Sequence, residues 1–97
     1  MHSYRIVWED EAKAREVEIL VDYTLTAGVV TVEAVRPIEV TLYEQHTSQP
    51  TRVLPVHTAT GRRLLAQAYV ASRETEQTLE DEILAAHDLL DDAVAVA

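Results

Sequence analysis

The chain has 97 residues, 47% of them apolar and 26% charged, with 17 acids against 8 bases and a formal net charge of −9. That length suits one domain with one modest core, and the composition is that of a chain that folds. The lack of cysteine excludes disulfides, thiolate metal sites and a cysteine nucleophile, while one Lys among so many acids excludes generic binding to nucleic acid or anionic membrane.

Tyr4, Ile6 and Trp8 alternate with Arg5, Val7 and Glu9, the period of a strand with one buried face. A charged turn over 10–13 ends this strand, and a short helical turn over 9–14 is the competing reading. Val17, Ile19, Val21, Tyr23 and Leu25 then repeat every second residue against Glu16, Glu18, Asp22 and Thr24. Ala27-Gly28 breaks the pattern, and Val30, Val32 and Ala34 resume it. With Ala27 and Gly28 as the two loop residues, 16–26 and 29–36 form a hairpin. Its register sets Leu25 opposite Val30, Tyr23 opposite Val32 and Val21 opposite Ala34, which places both apolar sets on one face. Pro37 kinks or ends that strand, and Ile38, Val40 and Leu42 continue in the same parity as a third segment. A polar loop over 44–50 leads to a last short strand over 51–56, where Pro55 suits a sheet edge.

From Thr58 the period changes from two to that of a helix. Thr58 or Thr60 caps a first helix with Leu64, Leu65, Ala68 and Ala71 as its apolar stripe, and 72–75 interrupts it. Thr78 followed by Glu80, Asp81 and Glu82 starts a second helix, because acids in the first turn complement the helix dipole. Its stripe is Leu79, Ile83, Ala86, Leu90 and Ala93. The expected fold is α+β and a single domain over 1–97. An antiparallel sheet of three to five strands fills 1–56, and two C-terminal helices over 57–97 pack on one face of it. No apolar run reaches the length of a signal peptide core or a membrane span, so a soluble cytoplasmic chain is expected.

The charge is concentrated at one end. Residues 1–73 carry nine acids and eight bases, whereas 74–97 carry eight acids and no base. Such a block either solvates an exposed helix or faces a basic partner. Leu84 lies well over 90° from the stripe of the second helix, among Glu80, Asp81, Asp88 and Asp91. An apolar residue ringed by acids is the arrangement of a contact anchor with an electrostatic rim, and these five residues are the candidate partner-binding face.

Other candidates carry less chemistry. His46 and His57 flank the last strand without a third ligand at defined spacing, and His2 and His87 complete the set, so no metal and no cofactor is expected. Thr58-Ala-Thr-Gly-Arg-Arg63 places two Arg at a helix start able to hold an anion, but it lacks the Gly spacing and the Lys of a phosphate loop. Arg62, Arg63 and Arg73 are therefore expected to pair with the protein's own acids, with a bound anion as the alternative. Arg62, Tyr69 and Arg73 share one side of the first helix and should meet the second. Carboxylates on an exposed helix lack the burial that general acid/base work needs, so no catalytic residue is assigned.

The run Val17-Glu-Ile-Leu-Val-Asp-Tyr23, its hairpin continuation through Val35, and the switch at Val56-His-Thr-Ala-Thr-Gly-Arg-Arg-Leu-Leu65 into an acidic helix resemble the short uncharacterised proteins encoded by bacteriophages and prophages. The likeness covers most of the chain in layout and carries over no functional residue. Many such proteins bind and block a host protein, so the resemblance implies a binder rather than an enzyme. The expected function is a small acidic protein-binding module acting through its C-terminal helix on a basic protein surface, with nucleic-acid mimicry as a subset. The alternatives are an assembly protein that homo-oligomerises through a sheet edge or the second helix, and, third, a small enzyme.

Overall fold

The computed structural model describes residues 1–44, 47, 49–73 and 77–96, with 89–96 as backbone alone. In chain order it comprises β1 (His2–Asp10), a 3-10 turn (Glu11–Lys13), β2 (Arg15–Thr26), β3 (Val29–Tyr43), β4 (Pro50–Pro55), α1 (Ala59–Ser72) and α2 (Leu79–Val96). The four strands form one antiparallel meander in the order β1-β2-β3-β4, with both helices following it, an α+β fold.

β2 is the spine of the core. Its odd residues Val17, Ile19, Val21 and Tyr23 are buried on one face, as a two-residue period dictates. β1 pairs with it without interruption, setting Trp8 opposite Val17, Ile6 opposite Ile19 and Tyr4 opposite Val21. α1 and α2 cover this face by contributing buried Tyr69 and Ile83. The opposite face is polar and laced by cross-strand pairs, Arg5 with Glu18 at 2.5 Å and Arg36 with Asp22 at 2.5 Å.

The β2–β3 hairpin turns at Ala27 (φ 52°) and Gly28 (φ 78°), the two positive φ values of a type I′ turn. Leu25 faces Val30 and Tyr23 faces Val32, as the parity predicts. Beyond that point the expected register is corrected, because Val21 faces Val35 and not Ala34. Glu33 is an extra, unopposed residue of β3, and a second shift leaves Ile38 unopposed. Each bulge flips the facing of the residues after it, so the second restores what the first reversed. The inward residues of β3 are thus Val30, Val32, Val35, Pro37, Val40 and Leu42. Pro37 neither ends the strand nor lies at an edge. It is fully buried opposite Ile19, next to the bulge that tolerates a residue without an N–H in a central strand.

Thr58 caps α1 by accepting from the Gly61 N–H at 2.9 Å. The buried face of α1 differs from the expected stripe. Tyr69 is its buried residue, with Leu65 and Ala68 half-buried beside it, whereas Leu64 is 56% exposed and Ala71 is exposed. Tyr69 lies edge-on to Trp8, ring centroids 5.7 Å apart, and so reaches past β2 to the outer strand.

Candidate protein-interaction face

α2 begins where the sequence places it. The Asp81 N–H donates to the Thr78 hydroxyl at 3.1 Å, and Glu80, Asp81 and Glu82 occupy the first turn, where the dipole favours negative charge. Ile83 is fully buried. At about 100° per residue, Glu82 and Leu84 lie on either flank of Ile83, and both are half-buried. Leu84, expected to stand out among acids, instead packs against the margin of the core. The covered face of the helix is wide enough to include this flank. Glu80, Asp81 and Asp88 are exposed. The side chain of Asp91, the fourth acid expected there, lies outside the described residues.

Arg73 joins the two helices. Its side chain is 15% exposed, and its guanidinium donates to the Tyr69 hydroxyl at 2.7 Å, to Glu82 Oε2 at 2.9 Å and to the Gln77 carbonyl at 3.2 Å. Desolvation works against the charged guanidinium, but the bonds to Glu82 and Tyr69 outweigh it and raise its pKa further. Tyr4 on β1 lies in the same neighbourhood. Burial, then the Glu82 charge and Tyr69, push its phenol above the ordinary value, against the pull of Arg73. Of the three arginines expected to pair internally, Arg73 alone meets an acid among the described residues. Arg62 is exposed and donates to the Val56 carbonyl at 3.4 Å, and Arg63 is exposed.

The ion pairs among the described residues use Arg5, Arg15, Arg36 and Arg73, and take Glu82 alone from the acids of α2. Among the described residues, Glu80, Asp81 and Asp88 thus form a negative face without an ion-pair partner, beside a half-exposed leucine.

Three further features were missed from sequence. His2, Tyr23 and His87 meet at one end of the sheet. His2 stacks on Tyr23 at 5.2 Å and meets His87 edge-on at 5.2 Å, while the Tyr23 hydroxyl shares a hydrogen bond with His87 Nδ1 at 3.1 Å. The parity of His2 with Tyr4, and the four-residue offset of His87 from Ile83, put both on inward faces, a signal present in the sequence. His46, one of the expected histidines, lies outside the described residues, and His57 is exposed. No group of three or more His, Asp or Glu among the described residues is placed to hold a metal ion.

The second feature is a cleft of about 580 Å³ at the 3-10 turn, lined by Glu9, Asp10, Glu11, Glu16 and Glu44 with Arg15 and Tyr43. A balanced count over 1–73 concealed this local acidity. Arg15 is committed to Asp10 at 2.9 Å, and Tyr43 donates to Glu16 at 2.7 Å, which raises the Tyr43 pKa. The third is a cleft of about 610 Å³ between β4 and α1, apolar along Val40, Leu42, Leu54, Val56 and Leu64.

No protein-family model matches the sequence, and comparisons with curated proteins and with solved structures give no match. No helix among the described residues is long and apolar enough to cross a membrane.

Proposed function

We propose that the chain is a small protein-binding module that presents the acidic face of α2 to a basic surface on another protein. The reading rests on Glu80, Asp81 and Asp88, which are exposed and take part in no ion pair among the described residues. Charges left uncompensated at a surface steer a partner of opposite sign and set orientation, while apolar contact limits dissociation. Leu84, half-exposed on the same flank, supplies part of that contact. A modulator or inhibitor of a host protein, of the phage type, is the biological form this takes. Mimicry of nucleic acid is the narrower case, in which the carboxylates occupy a groove shaped for phosphates.

The test is capture of partners from a host-cell lysate by the wild-type chain and by the triple variant Glu80→Gln, Asp81→Asn, Asp88→Asn. Specific capture should weaken strongly in the variant. It should also be lost at about 1 M salt, where the screening length falls to about 3 Å. A partner retained equally by both chains at both salt concentrations would refute the acidic face as the contact.

A further inference from the structure

The two edges of the sheet are built differently. β4 is six residues long, begins and ends on Pro50 and Pro55, and shifts register against β3 at its start. Proline and irregular pairing are devices that blunt an edge. β1 is nine residues long and has no proline, glycine or lysine, and its register with β2 runs unbroken from His2 to Asp10. Its outer backbone groups are offered to another strand over that whole length. The outward side chain at its centre, Val7, is 44% exposed. The inward ones, Tyr4, Ile6 and Trp8, are only half-buried, although they face the core.

We propose that β1 pairs with β1 of a second copy of this chain, antiparallel about a two-fold axis at Val7, joining two four-stranded sheets into one of eight strands. Strand geometry limits the choice of register. Two copies that keep their core faces on the same side must pair residues of like parity, so a residue lies on the axis. An axis at Arg5 sets Arg5 against itself. An axis at Ile6 sets Arg5 against Val7 and Glu9 against Ser3. An axis at Trp8 sets Ile6 against Asp10. With the axis at Val7, Arg5 of each copy faces Glu9 of the other and Val7 faces Val7 on the polar face, while on the core side Ile6 faces Trp8 and Tyr4, whose hydroxyl can donate to a carboxylate, faces Asp10, so opposite charges pair on one face and the apolar centre is kept on the other.

The free chain is prepared for this pairing. Arg5 uses its Nε for Glu18 at 2.5 Å, and its side chain is 63% exposed, which leaves the terminal amines for a second carboxylate. Glu9 lies opposite Glu16 within the chain, a like-charge pair that a neighbouring arginine would relieve. The proposal is independent of the acidic face of α2. Two copies each carrying −9 repel, so added salt should tighten this association, whereas it should weaken capture through α2.

The experiment is sedimentation equilibrium on the full chain. The wild type should show the mass of a dimer, in an equilibrium that depends on concentration. Val7→Lys places two ammonium groups against each other at the axis, on a side chain already exposed, and should yield a monomer whose thermal midpoint stays within a few degrees of the dissociated wild type. Arg5→Glu and Glu9→Arg should each be monomeric alone. When the two are mixed, both cross-strand pairs become Glu opposite Arg, and a dimer should return. A wild type that stays monomeric at concentrations up to about 1 mM, the weak end of specific association, would overturn the proposal. So would a Val7→Lys chain that remains dimeric, or a mixture that fails to associate.

Discussion

Removing Arg73 should cost more than removing any other base of the helical part, and the structure says why. Arg73→Ala takes a guanidinium from three acceptors at once, the Tyr69 hydroxyl at 2.7 Å, Glu82 at 2.9 Å and the Gln77 carbonyl at 3.2 Å. Tyr69 is only 5% exposed, so its hydroxyl loses a charged donor where water has poor access, a loss of about 1.5–3 kcal/mol. The Glu82 side chain is 35% exposed and is rehydrated when freed, so that ion pair adds only about 0.5–1 kcal/mol. The total of about 2–4 kcal/mol corresponds to a fall in thermal midpoint of roughly 10–25 °C for a domain of this size. Arg62→Ala removes one long bond from an exposed side chain and should stay within about 0.5 kcal/mol of wild type. Urea denaturation of both variants, with a double-mutant cycle pairing Arg73→Ala with Tyr69→Phe, separates the hydroxyl contribution from the rest. A loss under about 0.5 kcal/mol for Arg73→Ala, or an equal loss for Arg62→Ala, would refute the clamp.

Ala27 holds φ 52° without the glycine or asparagine that a type I′ turn favours, so Ala27→Asn should raise stability by about 0.5–1 kcal/mol in thermal melts. Gly28→Val should lower it by about 1 kcal/mol or more. Nothing lies within 4 Å of a Cβ built at Gly28, so that loss would come from φ alone, and an unchanged midpoint would dismiss it. Leu84→Ala should cost about 1–2 kcal/mol, less than the about 2–5 kcal/mol expected for fully buried Ile83→Ala; equal losses in urea would move Leu84 into the core proper. The hydrogen bonds from Arg36 and then Ser3 hold the Asp22 carboxyl below its ordinary value. A depressed acid gives stability that is present above the unfolded value of about 3.9 and is lost as pH falls through the folded one. Asp22→Asn should therefore flatten the fall in midpoint below about pH 4, and an unaltered acid limb would count against the pairing.

Much of the sheet was legible because parity alone decides which face a strand residue takes, and β1 and β2 obey it without exception. β3 does not, and the cause is local degeneracy. Ala34 and Val35 are both apolar, as are Pro37 and Ile38, so either member of each pair could continue an inward row. The backbone settles the choice by bulging at Glu33 and Ile38, which gives inward residues at steps of two and three. A single bulge would have sent Val40 and Leu42 to the polar face, and two returned them, so the strict alternation seemed intact from both ends. In α1 the apolar positions outnumber those the sheet can cover. Leu64 lost that competition to Tyr69, whose length lets it reach Trp8 across β2. The cluster of His2, Tyr23 and His87 was readable residue by residue as inward, but not as a group, since the β1–β2 register sets His2 opposite Tyr23 and only the packing of α2 adds His87.

Glu80, Asp81 and Asp88 are not equivalent, although all three are exposed. Glu80 and Asp81 stand in the first turn, where the dipole and the Thr78 cap already favour negative charge. Their stabilisation of the helix does not depend on any partner, and a basic surface that engages them must share them with the helix N-terminus. Asp88 stands ten residues beyond Thr78, past the reach of that effect, and is exposed. It contributes nothing comparable to its own helix, so it is the acid whose interaction with a cation is least discounted by a role in folding. The half-exposed edge of Leu84 lies one turn before it on the same flank. Affinity for a basic partner should therefore centre on Leu84 and Asp88, while Glu80 and Asp81 chiefly widen the field that draws the partner in.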